Sequence, residues 1–84
     1  MAVSSRRRRL SPEQRRALQL LAGSPHGVTE ELLVFSHGFS RRMLAGLIRA
    51  GFATVKRRVI MAGGTPVEVG RVSISAAGRR AIAA

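Results

Sequence analysis

The sequence predicts a small α+β domain: a three-helix bundle followed by a two-stranded β-hairpin and a short C-terminal helix. Three observations lead to it. Hydroxyl residues that cap helices stand before runs with apolar side chains at helical spacing, and glycines close those runs. After Gly51 the apolar period changes from 3.6 to 2, across two stretches joined by Gly63-Gly64. The chain has 84 residues and no cysteine, so it forms one domain without disulfides, in which short helices around a core of about a dozen large apolar side chains are the economical solution.

Residues 1–10 read as a basic arm carrying Arg6, Arg7, Arg8 and Arg9, and residues 11–84 as the folded domain. The first helix starts at Ser11, with Pro12 at the first helical position and Gln14 placed to complete a capping box. Ala17, Leu18 and Leu21 form its apolar stripe, Leu20 widens it, and GSPHG (23–27) stops it. The second helix is expected from Thr29 as N-cap, with Glu30 and Glu31 in its first turn as the helix dipole favours. Val28 stands where it can staple onto Leu33. Leu32, Leu33 and Phe35 are assigned to the buried side, and Gly38 to a left-handed cap.

The third helix begins at Ser40, with Phe39 placed to staple onto Leu44. Leu44, Leu47 and Ile48 share one face, with Met43 at its margin and Gly51 at the end. The other face carries Arg41, Arg42, Ala45 and Arg49. Two arginines directly after an N-cap oppose the helix dipole, which favours carboxylates there, so their placement asks for a reason outside the helix.

Ala53 to Ala62 reads as a strand and Val67 to Ser75 as its return, because Gly63-Gly64 supplies the positive φ angles of a two-residue turn. In that register Val55 faces Val72 and Ala53 faces Ile74 on the side toward the helices. Lys56 faces Arg71 on the other. Like charges across a ladder destabilise it, which suits a surface meant for an anion. Ser75 caps a last helix, AAGRRAIAA, with Ile82 packing back; Gly78 weakens it.

Fifteen lysines and arginines against four acids give a net charge of +11, while 45% of the residues are apolar. This is a folding chain and not a disordered basic tail, and its charge calls for a polyanionic partner. The N-terminal arginines are followed by no apolar segment of signal-peptide or membrane-spanning type, so a cytoplasmic protein with no membrane partner is expected.

The order of elements and the residues at their junctions resemble those of the winged helix-turn-helix DNA-binding proteins, nearest to the MarR-like regulators. The similarity runs from LIRAGFATVKRR (47–58) through GRVSISAAGRRAI (70–82). The family's Leu-x-x-x-Gly-apolar step at the end of the recognition helix is matched by Leu47, Gly51 and Phe52. Its arginine, alternating strand and Ser/Thr-x-x-Gly-Arg turn are matched by Arg71, Val72, Ile74, Ser75, Gly78 and Arg79. The stretch before Leu47 is shorter than in typical members, and the long flanking helices of those dimers are not matched. The resemblance therefore implies the fold and duplex binding, from which the role of a small transcriptional regulator is inferred; it does not imply a ligand-sensing repressor.

In the docking mode the resemblance implies, residues 41–50 enter the major groove with Arg41 and Arg42 leading and Arg49 behind. Ala45 and Gly46 allow close approach. Lys56, Arg57, Arg58 and Arg71 on the wing (53–74) hold phosphates, and Arg6, Arg7, Arg8 and Arg9 act as an arm. Double-stranded DNA is the expected partner. The alternatives are an acidic protein docked on a winged-helix interaction module and RNA bound by a basic, ribosome-associated protein; a homodimer is open.

Each feature also has a plainer reading. Arginines often form only a solvated face, and Arg79 and Arg80 suit the dipole of the last helix. His26 and His37 sit beside turn glycines with no ligand pattern around them, and the serines and four acids form no nucleophile or acid-base pair. No enzyme activity and no cofactor or metal are expected. Phe35, Phe39 and Phe52 are the only aromatics, and assigning all three to the core argues against a base-stacking platform.

Overall fold

A computed structural model describes residues 10–83; the expected arm with Arg6, Arg7, Arg8 and Arg9 lies outside them. The order is α1 (Pro12–Ala22), β1 (Val28–Thr29), α2 (Leu32–Ser36, π-helical), α3 (Arg41–Arg49), β2 (Ala53–Ala62), β3 (Thr65–Ile74) and α4 (Ala76–Ala83). This is an α+β chain with a three-stranded antiparallel sheet in the order β1-β3-β2.

The capping chemistry holds as expected. At α1 the Gln14 N–H donates to Ser11 Oγ (3.1 Å) and the Ser11 N–H donates to Gln14 Oε1 (2.9 Å). At α3 the Met43 N–H donates to Ser40 Oγ (3.0 Å). Leu18, Leu21, Leu33, Leu47 and Val72 are fully buried, with Phe39, Leu44, Ala17 and Ala53 beside them. Each buried leucine contributes about 1.5–3 kcal/mol through area removed from water.

The hairpin register is as expected: Ala53 opposite Ile74, Val55 opposite Val72 and Lys56 opposite Arg71. Gly63 and Gly64 have φ of 59° and 83°, the pair of positive angles a type I′ turn requires. The sheet, however, has a third strand. Val28 pairs with Val72 and Thr29 with Arg71. An N-cap residue and the one before it have extended backbones, so Thr29 serves two roles: its Oγ1 accepts from the Leu32 N–H (3.4 Å) while its main chain lies along β3.

The second helix differs most from expectation. It closes in π form, with the His37 N–H donating to the Leu32 carbonyl (3.1 Å). Leu33 is buried, but Leu32 is half exposed and Phe35 is 75% exposed. Residues one or two apart do not share a helical face, so Leu33 cannot bring either neighbour into the core with it. Phe39 takes the space instead, its N–H bonded to the Leu33 carbonyl (3.0 Å) across Gly38, whose φ is 75°.

α4 is a full helix, and Gly78 strengthens its docking instead of weakening it. Gly78 is buried against the Phe52 carbonyl, and its N–H donates to Ser75 Oγ (3.1 Å). Ser75 in turn donates its hydroxyl to the Gly51 carbonyl (2.5 Å), and its N–H to the Phe52 carbonyl (3.0 Å). The start of α4 is thus tied to the end of α3. Among the described residues no helix is long and apolar enough to cross a membrane.

α3 has no acid in its first turn, yet it receives one from elsewhere: Glu13 Oε2 of α1 accepts from the Ser40 N–H (3.3 Å). That carboxylate sits at the N-termini of two helices and offsets part of the repulsion from Arg41 and Arg42. Glu13→Ala is expected to lower stability by about 1 kcal/mol in urea unfolding and to speed hydrogen exchange at the Met43 N–H. Unchanged exchange there would remove Glu13 from the support of α3.

Candidate nucleic-acid interface

α3 and β2 flank a cleft of about 380 Å³. Leu44, Ala45, Ile48 and Val55 form its floor, and Arg41, Arg49, Arg57 and Glu30 its walls. Helical spacing places these groups: Arg41, Ala45 and Arg49 follow one another at four-residue steps along the exposed face. Arg42 lies seven residues, two turns, before Arg49 and therefore on the same side of the helix, and both are exposed.

Arg57 reaches the cleft because odd-numbered residues of β2 point toward α3. Its Nη1 lies 3.2 Å from Glu30 Oε1, the one ion pair among the described residues. The pair rests on Gly70, where a Cβ would come within 2.5 Å of Glu30 Oε1 and 3.0 Å of Arg57 Nη1. Half-exposed pairs of this kind contribute little to stability, about 0–1 kcal/mol, so the pair mainly positions Arg57.

Lys56, Arg58 and Arg71 leave the sheet on the side away from α3, by the same alternation. They border a second groove that Arg57 also lines. Arg71 has a further role, since its Nη1 donates to the His26 and Gly27 carbonyls (3.4 Å each) and clips the turn before β1 to β3. The expected cations therefore do not share one flat face. They form a band that starts on α3, passes Arg57 and turns around the open edge of β2 to Lys56 and Arg58.

Compared with family models, curated proteins and solved structures, the chain matches none.

Phe35 is the residue that sequence reasoning missed. The Arg41 guanidinium carbon lies 5.9 Å from its ring centroid, within cation–π range, so an exposed aromatic stands beside the leading arginine. Its two-residue separation from Leu33 was the available signal. With Phe35 outside the core, only Phe39 and Phe52 remain of the aromatics assigned to it, and base stacking is no longer excluded by their shortage.

Gly46 also belongs to this surface, one turn from Arg42 and from Arg49. A Cβ there would meet nothing within 4 Å, so no contact inside the protein requires glycine in mid-helix. Glycine at such a position costs about 0.8–1 kcal/mol relative to alanine.

Proposed function

We propose that the protein is a winged-helix duplex-DNA-binding protein, in which α3 enters the major groove and the β2–β3 hairpin follows the backbone beside it. The observation that carries this reading is the concave cleft between α3 and β2, walled by Arg41, Arg49 and Arg57, with Glu30 paired to Arg57, and flanked by Arg42. A rod-shaped polyanion fits a concave cationic surface better than a flat one does, and arginine suits both guanine edges and phosphate oxygens. The role of a small transcriptional regulator follows from the resemblance alone.

The test is a salt titration of affinity for duplex DNA, with single-stranded DNA and structured RNA in parallel. Duplex affinity is expected to fall by about 0.9 log units per phosphate neutralised for each log unit of salt, and to exceed the other two. A flat titration overturns the proposal. Stronger binding of single strands or RNA would favour the second reading, a basic RNA-binding protein, for which the exposed Phe35 beside Arg41 is the supporting observation.

Gly46→Ala separates fold from function. Unfolding is expected to show a gain of about 0.5–1 kcal/mol, because helix propensity improves without a clash. Duplex affinity is expected to fall, because the added methyl stands on the face that approaches DNA. Equal affinity would place Gly46 off the interface.

A further inference from the structure

The outer half of the β2–β3 hairpin differs from its base. Near the helices, Ala53 and Val72 are buried, whereas beyond Arg57 and Gly70 the side chains are exposed on both faces apart from the half-buried Val69. Those side chains are largely apolar, with one exposed acid, Glu68 opposite Val59, between the basic stem and the tip. Val59 and Met61 leave one face, at 65% and 67% exposure, and Ile60 and Val67 leave the other. Pro66 stands opposite Met61 beside the turn. Apolar groups gathered at an exposed point mark a contact surface more often than a solvated one.

The distribution over two faces limits what can cover them. An occupant lying flat on one face leaves the other in water. A second copy pairing antiparallel along the open edge of β2 in the register centred on Arg57 would bring Lys56, Arg57 and Arg58 against the same cations of its partner, an arrangement that opposes that pairing. A planar anionic bilayer does not enter the concave cleft that adjoins the hairpin. The occupant must surround the tip, be apolar where it meets the tip and be anionic on both sides just below it, because Lys56 and Arg58 leave one face there and Arg57 the other.

The minor groove of duplex DNA offers a phosphate rail on either side, and the apolar faces of its bases become accessible where a base step is opened. We propose that the hairpin tip is a wedge, with Ile60, Met61 and Pro66 entering between adjacent base pairs while Lys56, Arg57 and Arg58 hold the flanking phosphates, so that the protein kinks the DNA it binds. This rests on the duplex-binding reading above and adds a deformation of the duplex to it. The reach is sufficient. From Arg57 to the turn at Gly63 the strand extends about 20 Å at about 3.3 Å per residue, beyond the roughly 12 Å width of the major groove that α3 would occupy. Flexible pyrimidine–purine steps are the sites at which such a wedge enters most easily.

The experiment uses duplexes with a central TA step, labelled at both ends for energy transfer, and a matched duplex carrying a small bulge that is already kinked. The wild-type chain is expected to bend the first by an angle in the range of about 20–90° and to bind the second about tenfold more tightly, since unstacking there is already done. The variant Ile60→Ser/Met61→Ser/Pro66→Ser is expected to retain duplex binding and to lose both the bend and the bulge preference, with its circular dichroism unchanged. Should that variant fail to fold, 2-aminopurine beside the TA step reports unstacking by the wild-type chain through a rise in fluorescence. Duplex binding without bend or unstacking overturns the wedge and leaves the binding reading standing; absence of duplex binding overturns both. Unbent DNA together with binding of the tip to phosphatidylcholine vesicles containing phosphatidylserine overturns the wedge in favour of a membrane contact.

Discussion

Arg41→Ala/Arg42→Ala is expected to weaken duplex binding by about two orders of magnitude while leaving the fold intact. Each arginine that makes a good base contact supplies about 1–3 kcal/mol of discrimination, and each phosphate neutralised adds about 0.9 to the salt slope. Loss of both side chains therefore reduces that slope by up to about 1.8 if both reach phosphates. Stability moves little. Removing two cations from the start of α3 relieves about 0.3–1 kcal/mol each of unfavourable dipole interaction, against the loss of the Arg41–Phe35 contact of about 0.5–1 kcal/mol. Fluorescence anisotropy at several salt concentrations, with thermal unfolding alongside, measures both quantities. Unchanged affinity with a less stable fold would make the two arginines structural and remove the central support of the proposed interface.

Gly78→Ala is expected to be the most damaging single methyl in the chain. In an exposed helix this change stabilises by about 0.8–1 kcal/mol. Here the new Cβ would be driven into the Phe52 carbonyl and to 2.8 Å from Ile74 Cγ1. The carbonyl cannot swing aside, because it accepts the Ser75 N–H and closes the junction between α3 and α4. Overpacking against fixed backbone costs about 1–3 kcal/mol or more, which exceeds the propensity gain. For a domain of this size each kcal/mol lowers the melting temperature by about 4–8 °C, so a clear drop in Tm is expected. Gly46→Ala is the internal control, with the same chemistry in open space and the opposite sign. A Gly78→Ala protein as stable as the parent would show that α4 docks loosely.

Much of the local architecture was legible because its signals are local. Ser11, Ser40 and Ser75 each make the cap bond their position implies, and the Gly63-Gly64 turn sets a hairpin register that places Lys56 opposite Arg71. Arg42 and Arg49 lie on the face of α3 opposite Leu44 and Leu47, with Arg41 at its margin, as helical spacing requires. The apolar character of Phe35 points to the core, but its two-residue offset from Leu33 turns it to solvent. The low helix propensity of Gly78 carries no information about the Phe52 carbonyl that packs on it from another part of the chain.

The placement of cations around the site was also only half readable. Strand alternation separates Arg57 from Lys56 and Arg58, but the role of Arg57 as the link depends on β2 being the open edge of the sheet. Arg71 looked equivalent to the other cations in the sequence. Its bonds to the His26 and Gly27 carbonyls make it a clip between distant segments.

By itself the sequence determined the caps, the helical faces, the hairpin and its register, and a net charge of +11. These follow from interactions between residues a few positions apart, where spacing fixes geometry. Only the tertiary structure decided that Thr29 joins the sheet, that Gly78 is a contact point, and that the acid missing from the start of α3 is Glu13 of α1. Each of these depends on a partner brought close by the packing of the whole core, and no local pattern records which distant group will arrive.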